Sequence, residues 1–481
     1  MSIKYIGLDA INGPLAFLEG VTDVGYEEIV TIKLASGEIR HGRVVSIYGD
    51  RVAIEIFEGT QSMTLTETET TFLGRPMTIG LSKEILGRTF NGAGQPIDHL
   101  GKVFAEVHKD INGAPMNPVS RVYPRNFIQT GVSAIDGLTT LIRGQKLPIF
   151  TGTGLSHNEL AVQIVKNAQI AKDNNQEFCV VFAAMGVKHD VAQYFKRQFE
   201  EAHVMSRVVM YVNIANDPII ERILAPRAAL TAAEYLAFEK NMHVLVVLTD
   251  MTAYCEALRE FSSSKGEIPG RKGFPGYLYS DLSSLYERAG MIEGSQGSVT
   301  QIPILTMPND DMTHPVPDLT GYITEGQIVL DRELHQKGIF PPIGILPSLS
   351  RLMKDGIGKD YTRADHQNLA NQLFAAYAKV GEARSLAAVI GEDELSETDQ
   401  NYMRFGQYFE NYYLNQQSEN RHINETLDLG WDLLSLLPAS ELTRIDQTLI
   451  DTYYHQERAY KRFGIKQKSN IDTLVQRVAK I

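Results

Sequence analysis

Cysteine is nearly missing from this chain: Cys179 and Cys255 are the only two in 481 residues. That excludes a disulfide-stapled fold, and both lie in apolar segments, where they read as free thiols of a reducing compartment. Long apolar runs are missing too. A membrane helix needs roughly 20 consecutive apolar residues, and the most apolar stretch here is "VLVVL", Val244 to Leu248. The opening "MSIKYIGLDA" has no apolar h-region of a secretory signal, so membrane association is expected only through partners. Basic charge is the third shortage. Lys and Arg number 46 against 58 Asp and Glu, a formal charge of -12, which opposes non-specific binding to nucleic acid. There is no internal repeat, no low-complexity tract, and no metal site is expected.

What remains is ordinary for a globular protein, with 43% hydrophobic and 22% charged residues. The length suggests roughly two to four domains. Residues 1–75 read as short strands: "VTIKL" (Val30 to Leu34) and "VAIEI" (Val52 to Ile56) alternate apolar with polar, and "ASGE" and "YGDR" punctuate them. Such alternation with tight turns predicts a small β-barrel, or a sandwich. Across 76–350 the pattern changes to continuous Val/Ile/Leu strands separated by helices, among them "CVVFAAM", "RVVMYVN", "HVLVVLTD" and "TQIPILTM". That predicts a mostly parallel α/β sheet covered on both faces. "TAAEYLAFE", Thr231 to Glu239, predicts a helix opening on a threonine. Over 351–455 strands vanish. Leu369, Leu373 and Tyr377 recur every four residues, as do Phe405, Phe409 and Tyr413, and Leu429, Leu433, Leu436 and Leu437 surround Trp431. These stripes predict an α-helical bundle. Residues 456–481 carry Arg458, Lys461, Arg462, Lys466, Lys468, Arg477 and Lys480 against Glu457 and Asp472, and read as a basic, poorly packed tail.

The most informative stretch is "LPIFTGTGLSHNEL", Leu147 to Leu160. An apolar strand runs into a turn with Gly152 and Gly154, then into a helical segment, which is the outline of a phosphate-binding loop. A working loop reads G-x-x-x-x-G-K-[ST]. On that template Thr151 and Ser156 replace the outer glycines, His157 replaces the lysine and Asn158 the hydroxyl residue. Imidazole is a weak stand-in for an ammonium near neutral pH, and an amide oxygen is a poorer ligand for Mg²⁺. Hydrolysis through this loop should be weak or absent. By spacing alone, a glycine-rich turn between strand and helix also fits a site that binds nothing. "HVLVVLTD" ends in Asp250, an apolar strand closing on an acid as in a Walker B element, although any buried strand can end so. Arg351 in "SLSRL" is either a surface charge or an arginine finger, and the local sequence does not choose.

Long stretches resemble one known family: "LGRTFNGAGQPID" (Leu86 to Asp98), "FIQTGVSAIDGLTTLIRGQKLPIF" (Phe127 to Phe150), "NIANDPIIERILAPRAALTAAEYLAFEK" (Asn213 to Lys240), "PGYLYSDLSSLYERAG" (Pro275 to Gly290) and "PPIGILPSLSRL" (Pro341 to Leu352). The chain resembles the non-catalytic B subunit, or beta chain, of V-type and A-type ATPases, from about residue 3 to about residue 455. The resemblance implies an N-terminal β-barrel, a central P-loop-NTPase-like (RecA-like) α/β domain and a C-terminal helical bundle. It implies three such chains alternating with three catalytic A subunits in a ring around a rotary stalk, held at the cytoplasmic face of a membrane and coupling ATP hydrolysis or synthesis to H⁺ or Na⁺ transport. Central and peripheral stalk subunits would be further partners, with no nucleic acid among them.

The resemblance also assigns residues. Gly152, Gly154, Ser156, His157 and Asn158 would form a degenerate P-loop, with Asp250 the Walker B acid. ATP or ADP with Mg²⁺ would sit at the interface with the catalytic subunit, and none would be held tightly by this chain alone. Catalytic relatives carry G-E-R-x-x-E after the next strand. Here the stretch is "GVKHDV", with Val187 and Val191 in the places of the glutamates, and a valine can neither take a proton nor orient water. Arg351 falls where the family supplies an arginine in trans to the A-subunit site. "DELSETD" resembles an acidic stalk-facing loop, giving Asp393, Glu394 and Glu397 a contact role, though acids that open a helix also act as caps. Gly344 departs from the family signature, which has Asp, Asn or His at that place. The competing reading, a self-sufficient hexameric export motor or helicase, needs the lysine and the base that are lacking here. A third reading, a scaffold that binds no nucleotide, stays open.

Overall fold

The computed structural model describes residues 4–113, 116–170 and 177–465. In chain order the N-terminal elements are β1 (Lys4–Ile6), β2 (Ala10–Asn12), β3 (Leu15–Leu18), β4 (Glu28–Lys33), β5 (Ile39–Tyr48), β6 (Arg51–Ile56) and β7 (Glu69–Pro76). Then come β8 (Thr78–Leu81), β9 (Thr89–Asn91), β10 (Val107–Asp110), β11 (Ile128–Gln129), α1 (Ser133–Leu138), β12 (Ile149–Gly152), α2 (His157–Asn167), β13 (Gln169–Ile170), β14 (Phe178–Val187), α3 (His189–Glu201), β15 (Val208–Ile214) and α4 (Ile219–Glu234). After these lie β16 (His243–Thr249), α5 (Met251–Ser264), α6 (Leu278–Tyr286), β17 (Gly290–Met291), β18 (Ser298–Met307), α7 (Pro315–Ile323), β19 (Gly326–Leu330), α8 (Arg332–Gln336) and β20 (Ile343–Ser350). The remaining helices are α9 (His366–Ile390), α10 (Glu397–Tyr408), α11 (Ile423–Leu434), α12 (Gln447–Tyr453) and α13 (Gln456–Arg462). They form two compact units. One comprises Met1–Arg125, Ile142–Lys166 and Asp173–Gln327, the other Asn126–Leu141, Asn167–Lys172 and Ile328–Ile481, so far as those ranges are described.

In the first unit, β1 to β7 make an antiparallel sheet in the order β1-β7-β4-β5-β6-β3-β2. It curls around Val30, Ile32, Val44, Val52, Ile54 and Ile56, all at most 1% exposed. The alternation seen in the sequence supplies this inner face, because successive side chains point to opposite sides of a strand. On the opposite face from that cluster, Arg43 donates to Glu55 (2.5 Å) and to Glu27 (2.7 Å). Those two carboxylates hold its guanidinium charged, moving its pKa upward against the cost of burial.

The same unit holds a parallel sheet in which the run β12-β18-β16-β14-β15-β9 is hydrogen-bonded in sequence, with β17 antiparallel on β18. Every residue of β16 is buried, as a strand covered on both faces requires. The helix expected from Thr231 starts earlier. Its first residue is Ile219, after Pro218 at the cap, and the chain from Tyr235 to Glu239 continues it as a π-turn. Thr231 is therefore interior, and its hydroxyl bonds back to the Arg227 carbonyl at 2.9 Å instead of capping.

The second unit is helical apart from β11, β13 and the β19–β20 region. Leu369, Leu373, Phe405, Phe409, Tyr413, Leu429, Leu433 and Trp431 are all buried in it. The Trp431 indole donates to Asp365 at 2.6 Å. The basic tail needs a correction over its first residues. α13 is packed: Ala459 and Phe463 are buried, and Arg458 and Arg462 both donate to the buried Asp432 at 2.6 Å. A buried carboxylate needs such partners, and charge composition alone does not disclose it. Lys466, Lys468, Asp472, Arg477 and Lys480 lie outside the described residues.

Candidate functional site

β12 drives Ile149 and Phe150 into the core and ends at Gly152. The turn that follows passes through Gly154 at φ +84°, a conformation glycine adopts at no steric cost, and α2 begins at His157. The strand–turn–helix expected from the sequence is therefore present. Two of its backbone donors, however, are committed within the loop. Leu155 N–H donates to Gly152 (3.2 Å) and His157 N–H to Leu155 (2.9 Å). The His157 ring folds back as well, its Nδ1 lying 3.0 Å from the Leu155 carbonyl. A carbonyl only accepts, so Nδ1 carries a proton. A lysine would instead project three donors. Ser156 Oγ is buried with no hydrogen-bond partner, and Asn158 is half-buried beside it.

Asp250 caps α5, accepting from Thr252 N–H at 2.8 Å. It also accepts from Thr306 N–H (3.1 Å) and Thr306 Oγ1 (2.6 Å). Its carboxylate thus ties the end of β16 to the end of β18. Three hydrogen bonds fall on it, of the roughly four that a carboxylate can accept. Val187 closes β14 and Val191 lies in α3, both half-buried. Between β14 and β15 lies a polar pair that no motif in the sequence announces: Arg222 donates to Asn213 Oδ1 at 3.0 Å, and Gly186 N–H donates to the same oxygen at 3.1 Å. The turn carries no lysine ammonium, and the Ser156 hydroxyl within it is left without a hydrogen-bond partner.

Arg351 belongs to the other compact unit. It is exposed and follows directly on β20. Gly344, the second residue of that strand, gives its carbonyl to Ser348 Oγ at 2.5 Å, and a Cβ there would meet Asp331 Cβ at 3.3 Å. The larger residue of the family signature would need a small shift of Asp331.

Asp393 and Glu394 lie in a short turn between α9 and α10, exposed and without an ion pair among the described residues. Glu397 opens α10. The cap of that helix is Ser396, which accepts from Asp399 N–H at 3.1 Å, so the acids before it are not needed as caps. Leu386, Val389 and Ile390, at the end of α9, are exposed.

Residues 131–350 match the ATP synthase alpha/beta family, nucleotide-binding domain. Residues 355–454 match the C-terminal domain of V and A type ATP synthase. The chain is 60% identical over 460 residues to V-type ATP synthase beta chain 2 of Clostridium tetani, covering 95% of this chain and 100% of that protein. It is 60% identical over 452 residues to the V-type ATP synthase beta chain of Halothermothrix orenii, covering 94% and 97%. To the corresponding A-type ATP synthase chain of Aeropyrum pernix it is 55% identical over 457 residues, covering 95% and 98%. Among solved structures it is similar to the ATP synthase subunit NeqB from Nanoarcheaum equitans, at 40% identity and a TM-score of 0.70 over 88% of this chain and 100% of that one.

Proposed function

The chain belongs to the family of V-type and A-type ATP synthase beta chains, the B subunits, and from that premise we propose that it is a non-catalytic subunit that completes its neighbour's nucleotide site. The observation that carries this is the state of its own loop. His157, in the place of the lysine, bonds back to Leu155, and Asp250 is spent on Thr252 and Thr306. A phosphoryl transfer site needs cationic donors on the β and γ oxygens, and this loop has no lysine to supply them.

The contribution to catalysis comes instead from Arg351. In a ring of three A and three B subunits its guanidinium reaches MgATP held by the adjoining catalytic chain, where it stabilises charge developing on the transferred phosphoryl group. The ring sits at the cytoplasmic face of a membrane, joined to central and peripheral stalks, and couples ATP turnover to H⁺ or Na⁺ movement. No helix among the described residues is long and apolar enough to cross a membrane, which agrees with attachment through other subunits. The exposed Asp393, Glu394 and Glu397, together with Leu386 and Val389, are suited to a stalk with a mixed basic and apolar surface.

The test is ATP hydrolysis by the reconstituted ring. The purified chain alone should hydrolyse nothing above background. Arg351→Ala should assemble normally and slow turnover on the order of 10³-fold or more, as loss of an arginine finger does. Normal turnover by that ring would overturn the assignment of Arg351, and substantial hydrolysis by the chain alone would overturn the non-catalytic reading.

A further inference from the structure

The end of β20 is patterned against expectation. Leu346 and Leu349 are 44% and 52% exposed, whereas Ser348 and Ser350 are 5% and 7% exposed. A strand normally turns its apolar residues inward and its hydroxyls to water, so two buried serines must each have something to bond. Ser348 Oγ accepts from Val329 N–H at 2.9 Å and donates to the Gly344 carbonyl, closing the strand around Pro347. Ser350 Oγ donates to the Thr140 carbonyl at 2.9 Å. Arg351 is the next residue.

Thr140 in turn belongs to a segment sewn into the helical bundle. Its own hydroxyl donates to the Asp136 carbonyl at 2.8 Å. The fully buried Asp136 carboxylate accepts from Thr130 N–H (2.9 Å), Thr130 Oγ1 (2.7 Å) and Gly131 N–H (2.8 Å). Gln416 clamps the same turn, accepting from Ser133 N–H at 2.8 Å and donating to the Gly131 carbonyl at 2.5 Å. From α9, His366 bonds the Gly137 carbonyl at 3.0 Å. Residues 130–140 therefore have no independent freedom from the bundle helices, since every one of these bonds is buried and costly to leave unmade.

We infer that Ser350 is the positioning residue for Arg351, and that through its bond to Thr140 the arginine is carried on the helical bundle. The inference rests on the reading of Arg351 as a finger for the neighbouring site. A guanidinium on a long side chain acts only where its Cα is held, and a displacement of about 1 Å at a catalytic group costs up to about 10²-fold in rate. The Ser350 hydroxyl supplies that hold one residue before the arginine. A displacement of the bundle would reach Arg351 through this bond without passing through the degenerate loop.

The experiment uses rings reconstituted with the catalytic subunit. Ser350→Ala is expected to lower kcat on the order of 10- to 100-fold, with KM for MgATP and ring assembly unchanged and the thermal midpoint modestly lower, because the buried Thr140 carbonyl loses that donor. Ser350→Thr keeps the donor and should restore most of the rate, whereas Ser350→Cys, with only a weak S–H donor, should also be slow and replaces the alanine variant if that one assembles poorly. In an Arg351→Ala background, adding Ser350→Ala should slow the ring no further, because the hydroxyl then has nothing left to position. Full turnover by Ser350→Ala beside a slow Arg351→Ala overturns the positioning role and leaves the finger standing. An equal loss in both backgrounds overturns it too, because Ser350 would then act elsewhere. Full turnover by Arg351→Ala overturns the underlying reading.

Discussion

Acid should loosen the second unit at one histidine. His366 is fully buried, with Nε2 3.0 Å from the Gly137 carbonyl and Nδ1 3.0 Å from Thr362 Oγ1. The carbonyl can only accept, so Nε2 carries the hydrogen and Nδ1 accepts from the Thr362 hydroxyl, which itself accepts from Gly358 N–H at 2.9 Å. Each ring nitrogen is satisfied in the neutral form. A second proton on Nδ1 would strand the hydroxyl hydrogen and place a charge in the core. Burial is the main cause that pushes the pKa down from 6.5 to about 4; the Gly137 carbonyl and Asp365 oppose that shift, while Arg363 assists it. Because the folded value is the lower one, the unfolded chain binds the extra proton between these limits. Stability is then full above pH 6.5 and is lost as pH falls toward 4. A difference of about 2.5 in pKa, at about 1.36 kcal/mol for each, bounds the loss at about 3 kcal/mol. Urea unfolding of the full chain and of His366→Gln, followed by Trp431 fluorescence from about pH 7.5 to about pH 4.5, should show the gap between them closing by about that amount. Parallel curves, or an NMR titration of the His366 ring near its ordinary value, would refute the argument.

Three further substitutions probe other parts of the chain. Arg43→Ala leaves Glu55, 0% exposed, without its guanidinium, and should cost about 3–5 kcal/mol; chemical denaturation would measure it, and Arg43→Met with Glu55→Leu should recover most of the loss. Gly137→Ala sets a Cβ 2.1 Å from the Tyr413 hydroxyl and 2.9 Å from Thr426 Cγ2. α1 would have to move, so the thermal midpoint should fall by several degrees, about 1–3 kcal/mol for an overpacked site. His157→Lys restores the cationic donor and should raise affinity for ADP in calorimetry on the order of 10-fold, the strength of about one charge-assisted bond, yet give the isolated chain no turnover, because Val187 and Val191 supply no base.

The legible parts of this molecule are those set by local pattern. Parallel strands such as β16 read as unbroken apolar runs because both faces are covered. The degenerate loop is visible because a missing lysine is a missing letter. Misreadings arise where one residue type serves two purposes. Thr231 resembles a helix cap yet sits mid-helix, because α4 already starts at Ile219, after Pro218 at the cap, and Pro226 is accommodated within it. Arg458 and Arg462 resemble solvated tail charges yet serve the buried Asp432. The bonds that fix the end of β20 are out of reach altogether. Ser350 and Thr140 are 210 positions apart, and Gln416 and Gly131 are 285 apart, so no window along the chain contains both partners.

Those distant bonds bear on why a chain whose loop lacks the lysine should keep the outline of a phosphate loop. β12 is hydrogen-bonded in register to β18 from Ile149 through Gly152, and the turn at Gly154 must reverse direction at positive φ before α2 can start. Gly154 is explained by that geometry whether or not a phosphate ever binds. The histidine in the lysine's place bonds within its own loop. Arg351 is placed differently. Its strand is closed by Ser348 and tied down by Ser350, two buried hydroxyls whose loss would leave the Val329 N–H and the Gly344 and Thr140 carbonyls without these partners. The same bonds that stabilise the strand end also hold the residue directly before the exposed Arg351, so packing and the position of that guanidinium are served together.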